Sequence, residues 1–395
     1  MSDQTIYLDH AATTPMDERV LEAMMPYLTS EFGNAASRQH AMGRQAAAAV
    51  EQARAQVALL IGADPREIVF TSGATEANNL ALKGVAHAKA YELGAKRFVS
   101  ARSEHHAVLD PLRALEEKHG YTVTRLPVDS EGRLDLADLD QSLALKPKLV
   151  SLMHVNNELG TIHPLQDIGR LCREQGVLFH TDASQSVGKL PIDVNSMYVD
   201  LLSLSGHKFY GPKGVGALFL RRRGPRVRCE ALLDGGGHEG GRRSGTINVA
   251  GVVGLGAAAE LCVQDMDQEV QRIGSLSANF ENALRARLSG VGRNGPSEGR
   301  LPHILNLSFE GVSAESLLSR FKQVCASSSS ACTSAQLQES HVLRAIGMQE
   351  SGISSSLRFS FGRSTSENHI QRALDEIVDA VTLERADGPL NLCQP

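Results

Sequence analysis

The sequence predicts an α/β protein: a large unit with a mainly parallel sheet flanked by helices, plus a smaller α/β unit. Between about residues 65 and 220, short apolar runs of strand length alternate with longer runs of helical pattern. Beyond a Gly-rich, basic stretch at 234–245, strand and helix patterns resume on a smaller scale. The length of 395 residues also exceeds one minimal domain and suits two packed units.

The elements follow in order. The Ala-rich run 41–60 is a strong helix former. Residues 67–71, Glu-Ile-Val-Phe-Thr, read as a strand, and the turn Ser72-Gly73-Ala74-Thr75 leads into a helix over 76–90. Strands are expected at 97–100, 122–128, 149–155, 177–181, 199–205 and 215–220, with helices at 106–119, 134–145 and 165–175. Near-continuous apolar strands between helices suit a sheet covered on both faces. Helical pattern then runs over about 249–288, with a break expected around Asp265. The segments 303–309, 313–322, 355–361 and 369–385 make up the smaller unit. Residues 326–334, rich in Ser, show neither period and are expected to form a mobile, exposed loop. The expected division is a large domain over 15–260 and a small one from 1–14 and 261–395, the latter carrying a loop at about 325–336.

Composition narrows the function. Forty basic against 45 acidic residues leave a net charge of −5, so no global basic field points to nucleic acid. The local cluster Arg221, Arg222, Arg223, Arg226 and Arg228 reads first as a solvated loop and second as a partner or phosphate contact. No apolar run reaches the roughly 18 residues of a membrane span. The first residues lack the basic and apolar regions of a secretory signal. The six cysteines are scattered without a C-x-x-C pair, which argues against a zinc site and a disulfide scaffold. A soluble protein of a reducing cytoplasm is the expectation.

In parallel α/β sheets, ligands sit at the carboxyl ends of the strands. The residues there are Ser72–Thr75, Glu104–His106, Asn156–Glu158, Asp182–Gln185 and Ser205–Lys208, all polar, reactive or small. Five such loops suggest one site. Lys208 follows an apolar strand, where a lysine loses its proton more readily and suits Schiff-base chemistry; Lys189 and Lys213 are the other candidates. Asp182 ends a strand and could hold a ring nitrogen protonated, or simply cap a helix. Gly73, Ala74 and Thr75 open a helix whose N–H groups suit a phosphate. They match neither G-x-G-x-x-G nor a P-loop. His105 could stack on a planar ring or move a proton, or be an ordinary core histidine. Arg358, flanked by apolar residues, needs a carboxylate from a substrate or from an internal Asp or Glu. Cys332, among Ser, Ala and Thr, is a candidate nucleophile, while Cys325 reads as the structured base of its loop.

These motifs carry a resemblance. The most specific are 7–15 (YLDHAATTP), 70–76 (FTSGATE), 153–158 (MHVNNE), 180–189 (HTDASQSVGK), 205–214 (SGHKFYGPKG), 243–246 (RSGT) and 330–334 (SACTS). The chain resembles the pyridoxal-phosphate cysteine desulfurases of the NifS/IscS type, within the class V aminotransferase group, over nearly its whole length. The resemblance implies a fold-type I transferase that takes sulfur from L-cysteine, releases L-alanine and forms a Cys332 persulfide for an acceptor protein. That acceptor would be an iron–sulfur scaffold or another sulfur carrier. It implies that Lys208 bonds the cofactor, Asp182 pairs with the ring nitrogen, Gln185 with the ring oxygen, and His105 stacks on the ring. Ala74, Thr75, Ser205 and His207 would hold the phosphate, with Thr246 from the other subunit of a homodimer. Asn157 would touch cofactor and substrate, and Arg358 the substrate carboxylate, with Asn34 assisting. A loop that collects sulfur at the cofactor and presents it outside must move, which fits the Ser-rich stretch.

Overall fold

The computed structural model describes residues 5–91, 94–328 and 339–387. The chain enters through a short strand, β1 (Ile6–Tyr7). Seven strands build the central sheet: β2 (Ile68–Thr71), β3 (Arg97–Ala101), β4 (Thr122–Leu126), β5 (Leu149–Ser151), β6 (Leu178–Asp182), β7 (Leu201–Ser205) and β8 (Gly216–Leu220). They lie in the order β2-β8-β7-β6-β5-β3-β4, and every neighbouring pair is parallel except the two made by β8. The expected mainly parallel sheet is therefore present. Strand β8 reverses because residues 206–215 are too few for a crossover, which needs about a dozen or more.

Both faces of the sheet are covered, and the alternation of side chains along each strand decides which residue goes where. Phe98, Leu201 and Leu218 pack with Leu80 and Val85 of the helix Ala74–His87 and with Leu112 and Leu115 of the helix His106–His119. Their neighbours Val99, Leu202 and Phe219 point the other way. They pack with Val50 and Val57 of the helix Ala41–Leu60 and with Ile168 of the helix Leu165–Glu174.

A second core lies beyond. Strands β9 (Val291–Asn294), β10 (Ile304–Phe309), β12 (Ser327–Ser328) and β13 (Ser356–Ser360) form an antiparallel sheet in the order β12-β13-β10-β9. Between β10 and β12, β11 (Val324–Cys325) pairs in parallel with β1. Ile6 and Leu8 thus join a core made otherwise by the C-terminal third of the chain. Phe359 is fully buried there, edge-on to Phe280 at 5.2 Å and to Phe309 at 6.4 Å. Phe359→Ala is expected to cost about 3–5 kcal/mol in denaturant unfolding, because the three-ring cluster cannot collapse around the gap.

Three expectations need correction. The helix Val249–Arg287 is continuous for 39 residues and passes through Asp265 without a break. Val252 and Leu255 belong to the first core and Ile273 and Phe280 to the second, so its polar middle is the crossing between them. The Asp265 carboxylate is engaged there by Arg19 at 3.3 Å. The same helix contains a window apolar enough to cross a membrane by length and composition, although no unbroken apolar run reaches that length. Half of that window is buried inside the fold. Arg221 is not part of a solvated loop. It is 8% exposed, lies 3.4 Å from Asp200 and donates to the Val194 and Val199 carbonyls, whereas Arg222, Arg223, Arg226 and Arg228 are exposed. Of the expected 326–334 loop, Ser327 and Ser328 form strand β12, and 329–338 lie outside the described residues.

Candidate active site

The carboxyl ends of β2, β6 and β7 open into one cavity of about 530 Å³. Loops from β3 and β5 complete it, as the topology dictates. Its walls include Ala74, Thr75, His105, Asn157, Asp182, Gln185, Ser205, His207 and Lys208, so nine of the predicted site residues converge there.

Lys208 ends a single 3-10 turn, Gly206–Lys208, directly after β7. Its Nζ donates to the carbonyls of Ala11 (2.6 Å) and Ala12 (2.8 Å), so the N-terminal segment fixes the amine at the cavity wall. Asp182 is the last residue of β6 and is held by three donors. Asn78 Nδ2 donates to Oδ2 at 2.7 Å, while the Ser184 N–H (2.9 Å) and hydroxyl (2.5 Å) donate to Oδ1. Its helix-cap alternative fails, because Asp182 precedes a turn rather than a helix.

His105 caps the helix His106–His119 through Nδ1, which accepts the Ala107 N–H at 3.0 Å. That bond leaves the neutral ring's hydrogen on Nε2. Burial lowers its pKa; Asp182 pulls the other way, and Lys208 adds to the lowering. Burial is also the main cause that brings His207 down to about 4, with Lys208, Lys213 and Lys189 adding to it.

The donor set fits a phosphorylated, planar ligand. The 14-residue helix Ala74–His87 begins at Gly73 with no side-chain cap, so its first N–H groups face the cavity as an anion site. Gly73 has φ +151, which favours glycine. Ser205 Oγ lies 3.4 Å from where a Gly73 Cβ would stand, and so beside the same helix end. Glu76 lines the cavity but is neutralised by Arg243 at 2.8 Å and accepts the Ser72 N–H. Gln185 donates Nε2 to the Ala11 carbonyl at 2.9 Å, and its buried Oε1 has no partner among the described residues. An orphan acceptor on a cavity wall is a place for a ligand hydroxyl.

Other predicted residues lie elsewhere. Arg358 is 2% exposed and does not line the cavity. Nη2 pairs with Asp9 at 2.8 Å and Nη1 donates to the Asn157 carbonyl at 3.0 Å, so the internal carboxylate is the partner observed. Asn34 is exposed and caps its own turn through the Ala36 N–H. Thr246 is exposed and away from the cavity. Cys332 lies outside the described residues. Cys325 is exposed, and burial, followed by Asp9 and Glu376, raises its pKa. Sequence reasoning missed Asn78, and it gave Ser184, within the strand-end loop 182–185, no role of its own. Asn78 had a signal: it is a polar residue, fully buried, on a helix face otherwise built from Ala77, Leu80 and Ala81.

The aminotransferase class-V family pattern matches residues 6–373. The chain belongs to that family. Members of the class-V group work with pyridoxal phosphate. Among curated relatives, the cysteine desulfurase IscS of Anaeromyxobacter dehalogenans is 51% identical over 385 residues, covering 98% of this chain and 94% of the relative. The human cysteine desulfurase is also 51% identical, covering 98% and 83%. A solved NifS-like protein superposes with a TM-score of 0.89 at 34% identity, over 96% of this chain and 100% of that one. A structure described as SspA in complex with cysteine gives 0.80 at 36% identity, over 91% and 99%.

Proposed function

We infer that this chain is a cysteine desulfurase: it removes sulfur from L-cysteine and releases L-alanine. The observation that carries this reading is the convergence of Lys208, Asp182 and the uncapped start of the helix Ala74–His87 on one cavity. Relatives named for this activity, at 51% identity along almost the whole chain, support it.

Pyridoxal phosphate would be held by Lys208 through its amine, by Ala74, Thr75, Ser205 and His207 at the phosphate, and by Asp182, Gln185 and His105 around the ring. Once bound, it supplies an electron sink for the pair released at the substrate α-carbon. Asp182, oriented by Asn78 and Ser184, would accept the ring N–H and keep that proton in place. Lys208 Nζ, held at the cavity wall, would take the substrate α-proton. His105, whose Nδ1 accepts the Ala107 N–H, would stack on the ring with its hydrogen on Nε2. Gln185 Oε1, without a partner among the described residues, would accept the ring hydroxyl. The Cys332 thiolate attacks the substrate Sγ; the S–S bond forms, the C–S bond breaks, and protonation of the carbon skeleton yields alanine.

A homodimer completes the proposal. Leu21, Met25 and Leu28 lie on one face of the helix Glu18–Thr29, with Phe32 just beyond, and they are 43–69% exposed. A second copy covers this stripe, and its Thr246 joins the phosphate. The acceptor is a sulfur-carrying or iron–sulfur scaffold protein, and the chain works in the cytoplasm. The test is to supply L-cysteine and measure alanine together with protein-bound sulfur. Cys332→Ala is expected to lose bound sulfur by about 100-fold or more. A mutant that still carries sulfur at the wild-type rate places the acceptor thiol elsewhere.

A further inference from the structure

We propose that Thr14 is a positioning residue for the reaction: its hydroxyl, set between the His207 carbonyl and the Tyr210 N–H, fixes the turn from which Lys208 reaches the cavity. The inference rests on the reading of Lys208 as the cofactor-bearing lysine.

The turn has the form of a helix end. The Gly206 carbonyl accepts the Phe209 N–H at 3.1 Å and the Gly211 N–H at 3.0 Å. The second bond closes the chain over a residue in the left-handed region, as in a Schellman motif. That residue is Tyr210, with φ +66. Glycine is the usual occupant, and a tyrosine there is strained. A Schellman motif also has an inner bond, from the N–H of the left-handed residue to the carbonyl three residues back. Here that carbonyl belongs to His207, and the Tyr210 N–H goes to Thr14 instead. Thr14 Oγ1 accepts the Tyr210 N–H at 2.8 Å and donates its own hydrogen to the His207 carbonyl at 3.0 Å. The Thr14 N–H donates to the same carbonyl at 2.9 Å. One side-chain oxygen is thus inserted into the turn and holds two backbone groups apart. Lys208 lies between those groups and takes its direction from them.

The same segment holds the other end of the lysine. Lys208 Nζ donates to the Ala11 and Ala12 carbonyls, so residues 11–14 template both its root and its tip. The segment is pinned in turn to the second sheet, where the Ala11 N–H donates to Ser360 Oγ at 2.8 Å. Thr14 is 2% exposed and does not line the cavity, so it acts on the reaction through Lys208.

The strain at Tyr210 is held in place from several sides. Its carbonyl accepts the Asp17 N–H at 3.0 Å. Its hydroxyl donates to Glu269 and accepts the Arg363 N–H at 2.8 Å. The Arg363 guanidinium lies over its ring, 4.3 Å from the centroid. Backbone strain persists only where the surroundings over-determine it, and it gathers at functional sites. The need here is geometric. An amine that removes an α-proton must stand in one place, and an error of about 1 Å costs about 100-fold.

The test compares Thr14→Val, which keeps the shape and removes the hydroxyl, with Thr14→Ser, which keeps the hydroxyl. In the full-length chain stripped of pyridoxal phosphate, amide hydrogen exchange over residues 209–211 is expected to quicken about tenfold in the valine variant and to match wild type in the serine variant. Uptake of pyridoxal phosphate by the stripped valine variant, followed by visible absorbance, slows about tenfold. In the loaded valine variant, kcat for alanine falls about 10–100-fold while KM stays within about twofold. L-cysteine deuterated at the α-carbon then shows a larger isotope effect than in wild type, because removal of that proton has become the slow step. A general loss of stability does not raise the isotope effect. If the valine variant does not fold, Thr14→Ala is read against Thr14→Ser, the two differing by the hydroxyl alone. A valine or alanine variant that matches wild type in exchange and isotope effect overturns the proposal, and so does a serine variant as impaired as valine. A wild-type chain that takes up no pyridoxal phosphate instead defeats the cofactor assignment. The exchange comparison needs no cofactor, so the two failures are distinct.

Discussion

Lys208→Ala lowers alanine production from L-cysteine by about a thousandfold or more and leaves the chain colourless after incubation with pyridoxal phosphate. Two roles end together in this variant. The amine that bonds the cofactor disappears, and so does the group that moves the α-proton. Lys208→Arg is expected to fare no better, although it keeps the charge: a guanidinium stays protonated and cannot form the bond. Neither variant unfolds the chain. Lys208 Nζ contributes two hydrogen bonds, to Ala11 and Ala12, at a partly buried site, and the core around β7 is untouched. Unfolding midpoints close to wild type, with cofactor absorbance absent, separate this outcome from misfolding.

Asp182→Asn carries the second largest effect, a loss of about 10²–10⁴ in kcat with the cofactor still retained through Lys208 and the phosphate contacts. The substitution removes the charge that keeps a ring nitrogen protonated. It also mismatches the pocket. Asp182 receives donors on both oxygens, Asn78 on one and Ser184 on the other, and the NH₂ group of an asparagine must face one of them. Asn78→Ala should reproduce a smaller part of the loss, because it frees Oδ2 without removing charge. Measuring kcat and the absorbance of the bound cofactor in both variants separates charge from orientation.

Much of the site is legible in the sequence. Strand ends in a parallel sheet are local features, and apolar runs followed by Ser-Gly-Ala-Thr, Asp-Ala-Ser-Gln or Ser-Gly-His-Lys show where they are. The order in which the strands pair was not legible, because an apolar run does not reveal its neighbours, although the reversal of β8 does follow from the short connection 206–215. The partner of Arg358 was not legible either: Asp9 lies 349 positions away in sequence, and no periodicity links the two. The same holds for Asn78 on Asp182, 104 positions apart. The uninterrupted helix through Asp265 illustrates a tertiary override. Its polar middle looks like a terminus locally, yet it is stabilised by two separate cores on either side and by Arg19 on the carboxylate.

The proposed chemistry depends most on which lysine bears the cofactor. Loading the full-length chain with pyridoxal phosphate, reducing it with borohydride and mapping the modified peptide by mass spectrometry answers this directly. The predicted result is one phosphopyridoxyl group on Lys208. Modification of Lys189 or Lys213 in its place, or no modification, contradicts it.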